Sequence, residues 1–346
     1  MKIFLLFAML AAASFLGCDW QLDRQPESGN VYARDGMTFT YRISEDSYLI
    51  ITGYSGRPDV IIPASIRERP VIEIGESAFR NRRLVSVYIP YGVVYIGESA
   101  FRQNGLENVC MPDSVKVIGY RAFSNNALED VHIPGSVVCI GRGAFYRNRL
   151  VCVAIPDGVD CISALAFAYN MIENVCIPAG VISIGASAFF RNQLKEICIP
   201  DSVAYIGEMA FFDNQLEGIY IPNSVEVIGA GAFMSNQLES ARIPDSLAVI
   251  DQGVFAFNRL ESIDIPDSVA IIASQAFEGN QLTSIAIGEG VCFFIAPGNP
   301  RPPFRNGFEE AYEVRGRRAG TYTRSCAESA VWDFAPPNAM LPESIL

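Results

Sequence analysis

A β-rich repeat solenoid with parallel strands is the fold this sequence predicts, on three observations. An apolar residue recurs at Leu84, Leu106, Leu128, Leu150, Ile172, Leu194, Leu216, Leu238, Leu260 and Leu282, each step being 22 residues. Proline returns in one phase from Pro90 to Pro266, and asparagine in another from Asn104 to Asn280. The unit between them reads L-E-S-I-x-I-P-D-S-V-x-x-I-G-x-x-A-F-x-x-N-Q. A constant period of this size means that each unit buries its apolar face against the next, so the core grows one coil at a time.

Taken in chain order, residues 1–17 read as a signal peptide: Lys2, an apolar run from Ile3 to Leu16, and small residues from Ala11 to Ser14. The run is too short and wrongly flanked for a transmembrane helix. It ends in Phe15-Leu16-Gly17-Cys18, which resembles a bacterial lipoprotein signal with Cys18 as the acylated first residue of the mature chain. That resemblance implies an exported protein held to the membrane by lipid. Residues 18–35 are polar and aperiodic, as a tether would be. The solenoid and its cap are expected over residues 36–295. Residues 36–60 alternate apolar and polar side chains and predict a β-hairpin covering the first coil.

Each unit then has a short strand at x-I-x-I, where period-two alternation buries one face. Proline ends it, because a residue without an N–H cannot continue a ladder. Asp-Ser or a similar pair turns the chain, S-V-x-x-I gives a second extended piece, and Gly leads to Ala-Phe. The Ala-Phe pairs run from Ala78-Phe79 to Ala276-Phe277, with Val254-Phe255 the exception, and predict a stack of phenylalanine rings in the core. The asparagine that follows must be hydrogen-bonded wherever it is buried, so it reads as a ladder tying loop backbone between coils. After Gly288 the pattern decays. Residues 296–303 form a Pro-rich linker, and residues 304–346 read as a separate small segment in which Arg315-Gly316-Arg317-Arg318 makes a hairpin turn.

Little in the chain points to chemistry. It lacks a Walker loop, a paired-glycine dinucleotide fingerprint and a G-x-S-x-G elbow, and its one histidine, His132, removes most His-dependent triads. No C-x-x-C occurs, and no metal or cofactor site is expected. Cys139 and Cys161 share one phase, and Cys176 and Cys198 another, so each pair is open to two readings: a disulfide between neighbouring coils, or small apolar filler. Glu107, Glu129, Glu173, Glu217, Glu239 and Glu261 share position two of the unit and read as a solvated acidic rim. A formal net charge of −12 argues against a nucleic-acid partner, which needs a basic footprint.

The outward face of the first strand is the candidate binding surface, because it carries varied side chains on an invariant scaffold. Position five holds Tyr88, His132, Tyr220, Arg242 and Asp264, among others. Tyrosine and arginine combine large contact area with directed polar groups. Tyr95 and Tyr205, at position twelve, are candidates for a second patch.

With these residues in view, the units resemble the BspA-like leucine-rich repeats found in surface and envelope proteins of spirochaetes and oral or gut anaerobes. The resemblance covers about residues 37–295 and includes an atypical first unit over residues 51–79. Many family repeats are one residue longer and carry Cys where this chain has Asn. The resemblance implies a right-handed leucine-rich-repeat array, and adhesion in some members to host matrix proteins or other cells. The expected function is therefore a non-enzymatic, lipid-anchored recognition protein of the bacterial outer membrane or cell surface, binding a protein or glycan. A periplasmic scaffold for other envelope components is the alternative. A polysaccharide-acting enzyme is disfavoured, because Asp264 is the only acid at position five and such enzymes need clustered carboxylates.

Overall fold

The computed structural model describes residues 30–295, 301–304 and 306–337. The expected signal peptide, Cys18 and the tether up to residue 29 lie outside the described residues, as do residues 296–300 of the Pro-rich linker. The chain divides into two compact units, Met1–Leu194 and Lys195–Leu346. Each unit is a β-solenoid with parallel strands.

The first unit opens with three strands, β1 (Asn30–Arg34), β2 (Met37–Ile43) and β3 (Leu49–Ser55). β2 and β3 form the expected hairpin. β1 corrects the tether reading, since residues 30–34 pair antiparallel with β2. The reason is local: Asp35 and Gly36 sit at φ 52° and 74°. Positive φ at both central residues is the turn whose twist matches paired strands, and Asp-Gly adopts it readily. Met37, Phe39 and Tyr41 alternate into the core from β2. β3 pairs in parallel with the strand Arg69–Ile74, which joins the cap to the coils edge to edge.

Each coil then contributes up to two short strands. One series includes Asp59–Ile61, Ser86–Tyr88 and Asn108–Cys110; the other runs through Arg69–Ile74, Tyr95–Ile96, Val117–Ile118 and Cys139–Ile140. The register is set by the period: Val87 lies opposite Val109 and Ile96 opposite Ile118, each pair 22 residues apart. Equivalent side chains therefore sit on one another along the solenoid. That is why one apolar residue per position suffices to keep each face buried.

The third side of each coil is a turn around Ala-Phe, and here the backbone does something the repeat pattern did not announce. Two residues per turn are left-handed, for example Ser99 and Gln103 at φ 52° and 59°, or Leu165 and Tyr169 at 59° and 57°. Left-handed backbone costs an L-residue about 1–2 kcal/mol. It is held by bonds to the next coil: Ser99 N–H to the Tyr120 carbonyl (2.7 Å), Phe101 N–H to Ala122 (2.8 Å) and Gln103 N–H to Ser124 (3.0 Å). The turns thus form a third hydrogen-bonded column.

Inside that column lies the phenylalanine stack. From Phe79 to Phe189 the successive ring centroids are 4.9, 5.1, 5.6, 5.7 and 5.7 Å apart. The asparagine ladder seals it. Asn148 Nδ2 donates to the carbonyls of Phe123 (3.0 Å) and Phe145 (3.1 Å), while its Oδ1 accepts from the Leu128 N–H (3.3 Å). One buried amide thereby satisfies backbone groups of two coils. Glycine at the end of the second strand has another cause. A Cβ on Gly119 would lie 2.8 Å from the Gly97 and Ile96 backbone, so the coils could not approach.

The second unit repeats this plan, with Gly218–Tyr220 on Ser240–Arg242 and Ser262–Asp264 on Ser284–Ile287. Phe211, Phe233, Phe255 and Phe277 stack at 5.5, 5.8 and 5.6 Å. The last coil is one residue short, so Ile271 faces Cys292. Residues 304–346 were expected as a separate segment; their described part is built onto this coil. Phe304 stacks on Phe277 at 4.9 Å, and the strand Gly320–Thr323 pairs antiparallel with Ser284–Ile287. An open coil end exposes an apolar face and a free strand edge, and this segment covers both.

The cap also contains α1 (Phe308–Val314), whose Phe308 and Tyr312 are buried. Arg315-Gly316-Arg317-Arg318 is therefore not the hairpin turn expected. It begins as the end of α1, with Gly316 N–H on the Glu313 carbonyl and Arg317 N–H on that of Tyr312, both 2.9 Å. This is the Schellman closure, in which a left-handed Gly lets the chain satisfy the last helical carbonyls.

Candidate functional site

The outward strand face is built by alternation. In Ser86–Tyr88, Val87 points inward and Tyr88 outward, 49% exposed. Around it, residues Arg57, Asp59, Asn108 and Cys110 line a shallow depression of about 580 Å³ in the first unit. Its floor is the parallel sheet, and its polar edge is pinned where Ser86 Oγ donates to Asp59 Oδ1 at 2.6 Å. His132 is exposed at the same phase two coils on.

In the second unit the face is formed by Tyr220, Arg242 and Asp264, all exposed. Here neighbouring coils bring two of the predicted residues together, the Arg242 guanidinium lying 5.1 Å from the centroid of the Tyr220 ring. Arg242 and Asp264 border a second depression, of about 400 Å³, with Asp245. The arrangement can offer a ligand an aromatic surface, a cation and a carboxylate within three coils.

Tyr95 and Tyr205 belong to the other strand series, away from this face. Tyr95 lies between Glu73 and Val117 and is half-buried; Tyr205 is 43% exposed beside Val227. Burial, then the carboxylates of Glu73, Glu98 and Glu76, push the Tyr95 phenol up to about 12. Neither cysteine pairing is present. Cys161 is a free thiol that accepts from Ser183 Oγ at 3.1 Å, and Cys176 and Cys198 are free and exposed. Burial pushes the Cys161 thiol up, with the Ser183 bond opposing. Among the described residues no group of His, Cys, Asp or Glu is placed to hold a metal, and no helix is long and apolar enough to cross a membrane.

The turn column carries a feature that reading by position missed. In the first unit it is rich in arginine: Arg80, Arg82 and Arg83 in one turn, Arg102 in the next, Arg121 in the third, and Arg142, Arg147 and Arg149 in the fourth. These lie at six different positions of the unit, none held by more than two of them, so no single column of the repeat shows them. The signal was there only as arginines scattered between the turn glycine and the next leucine, and it stops in the second unit, where Arg259 stands alone among the turns. Aromatic rings accompany them, with Arg121 over Tyr120 at 5.0 Å and Arg147 over both Tyr146 (5.3 Å) and Tyr169 (5.2 Å).

A family model for the BspA type leucine-rich repeat region matches the chain in six copies, over residues 72–194 and 182–294. No curated protein matches it. Among solved structures, the pneumococcal vaccine antigen PcpA is similar at a TM-score of 0.55 and 19% identity, over 78% of this chain and 86% of that one. A leucine-rich cell surface protein of Faecalibacterium prausnitzii gives 0.49 and 24%, over 79% and 96%. A leucine-rich repeat protein of T. pallidum gives 0.43 and 27%, over 57% and 86%. The first of these shares the fold. With the family model spanning most of the chain, and the coils, asparagine ladder and phenylalanine stack in place, this protein belongs to the BspA-type leucine-rich repeat family.

Proposed function

We propose that the protein is a lipid-anchored recognition protein of the cell envelope that binds a protein or glycan partner, without catalysis, through the outward strand face of the solenoid. One observation carries this reading. From Tyr88 to Asp264 position five is exposed and varies in chemistry, whereas the inward positions beside it are buried or half-buried and are nearly all Val or Ile. A scaffold of that kind separates folding from recognition, since side chains on the outward face change without disturbing the core. Tyr220 and Arg242 form the anchor, because an aromatic ring with a guanidinium already stacked on it presents contact area and directed donors with little ordering cost. Family membership and the resemblance of Phe15-Leu16-Gly17-Cys18 to a lipoprotein signal support the placement at the cell surface.

Digesting intact cells with a protease too large to cross the outer membrane, alongside a periplasmic control, tests the location. Loss of this protein with the control preserved is the expected result, and full protection moves the periplasmic scaffold reading ahead. Binding to immobilised extracellular-matrix protein then tests the face. Tyr88→Ala and Tyr220→Ala should weaken it without lowering thermal stability. Binding that survives both substitutions refutes the strand-face assignment.

A further inference from the structure

In the turn column of the first unit, Arg80 Nε donates to Gln103 Oε1 in the next turn at 3.2 Å. The other arginines that matter here, Arg102, Arg121, Arg147 and Arg149, make no side-chain hydrogen bond among the described residues. The chain as a whole is acidic, yet this face concentrates positive charge. Among the described residues, Arg80, Arg102, Arg121, Arg147 and Arg149 form no ion pair with a carboxylate. The two acids of the column, Glu76 and Glu98, lie in its first two turns.

Arg102 shows the cost of the arrangement most clearly. Its Nε is buried and has no hydrogen-bond partner. Burial, then the charges of Arg121 and Arg80, hold its pKa below the usual arginine value. Removing a donor from water without a partner is unfavourable, and crowding like charges adds to it. A ligand that brings negative charge and acceptors to this spot would reverse both terms.

The guanidinium groups are also oriented in advance. Tyr120 carries Arg121, and Tyr146 with Tyr169 carries Arg147, so rings hold the planar forks while their N–H groups stay available. The backbone beneath is fixed, the Asn81 N–H bonding the Arg102 carbonyl at 3.0 Å and the Asn125 N–H that of Tyr146 at 2.8 Å. Forks of successive turns lie near one another, since Arg80 and Arg121 both act on Arg102. The occupant is therefore an extended chain with anionic groups repeated along it.

We propose that this arginine-lined turn face binds an acidic polysaccharide, a single extended chain whose sulfate or carboxylate groups seat on the guanidinium forks of Arg80, Arg102, Arg121, Arg147 and Arg149. Two observations separate it from other polyanions. The acidic row of Glu107, Glu129 and Glu173 begins within a few residues of the turns, so a wide duplex would overlap it. Single-stranded nucleic acid is held mainly by bases stacking on open aromatic rings, and here those rings already carry arginine. Planar forks match carboxylate and sulfate oxygens in pairs. The site is independent of the strand face, so either reading can fail while the other stands.

The test is calorimetric titration of the full chain with heparin oligosaccharides and polygalacturonate oligomers at about 0.15 M salt. A single-stranded oligonucleotide, a DNA duplex and phosphatidylglycerol vesicles run as competing arms. Micromolar binding of an acidic oligosaccharide is expected, weakening about tenfold or more in Arg102→Gln combined with Arg121→Gln. Arg242→Gln on the strand face should change nothing. Should the first double variant not fold, the exposed pair Arg147→Gln and Arg149→Gln carries the same expectation. Absence of acidic-glycan binding, or binding indifferent to the arginine variants, overturns the proposal. So does tighter binding of nucleic acid or vesicles through the same arginines.

Discussion

Gly119 is held by distance, since its φ is not in the left-handed region and a Cβ would meet the backbone of the preceding coil at 2.8 Å. Backbone cannot step aside as a side chain can. Gly119→Ala should therefore destabilise by about 1–3 kcal/mol in denaturant unfolding. Gly135→Ala, with nothing within 4 Å of its added carbon, should stay within about 0.5 kcal/mol. Tyr95 makes a prediction about pH. Its folded pKa, raised to about 12 from 10.0, means that its contribution is intact below pH 10 and is lost as pH climbs toward 12. Wild type should lose stability over that window by roughly 1.4 kcal/mol per pH unit more than Tyr95→Phe does, read as paired unfolding midpoints. At this scale the sequence was most legible where a residue does the same job in every coil. Asn148 and Phe145 announce themselves because equivalents recur every 22 residues. Arg102 does not, because only Arg80 shares its position of the unit, while Arg121 and the later arginines of the face stand at others.

Among elements, the coils were readable and the ends were not. Ser86–Tyr88 follows from alternation ended by proline, and its partner follows from the period. The caps occur once, so repetition says nothing of them. β1 hid in a polar stretch whose one informative pair is Asp35-Gly36. α1 is only seven residues long and is made by what it covers, the aromatic face that Phe277 would otherwise leave open through Phe304. Tyr312 ties that cap down: its hydroxyl donates to the Gly288 carbonyl at 2.7 Å and accepts from the Val291 N–H at 3.1 Å. Both partners belong to the irregular last coil. Tyr312→Phe keeps the ring and strips both bonds, so it should cost about 1–3 kcal/mol. Hydrogen exchange should report the loss first at Val291, before any change in the coils around Phe211. Uniform loss across the second unit would show that the cap and coils melt together.

Over the whole chain, charge is sorted by side of the coil as much as it is summed. A net of −12 describes the molecule at a distance, where it keeps copies apart. Within a screening length of about 8 Å a ligand meets one face only, and the turns of the first unit are positive. Net charge read from the sequence argued against a nucleic-acid partner and, by averaging, concealed an arginine face. The register has a consequence of a different kind, for heredity. Because Val87 faces Val109 and Gly218 faces Ser240, each 22 residues on, neighbouring coils are interchangeable parts. Recombination between misaligned copies of the gene can add or drop one coil and still return a chain whose ladders close. Slippage by any other length shifts every later side chain off its column. Deleting residues 216–237, which joins Gln215 to Leu238, should give a folded protein with the same circular dichroism per residue, while a deletion two residues shorter should not fold. Such a gene can lengthen or shorten its recognition surface in whole coils, and vary what it displays to its surroundings without having to invent a new core.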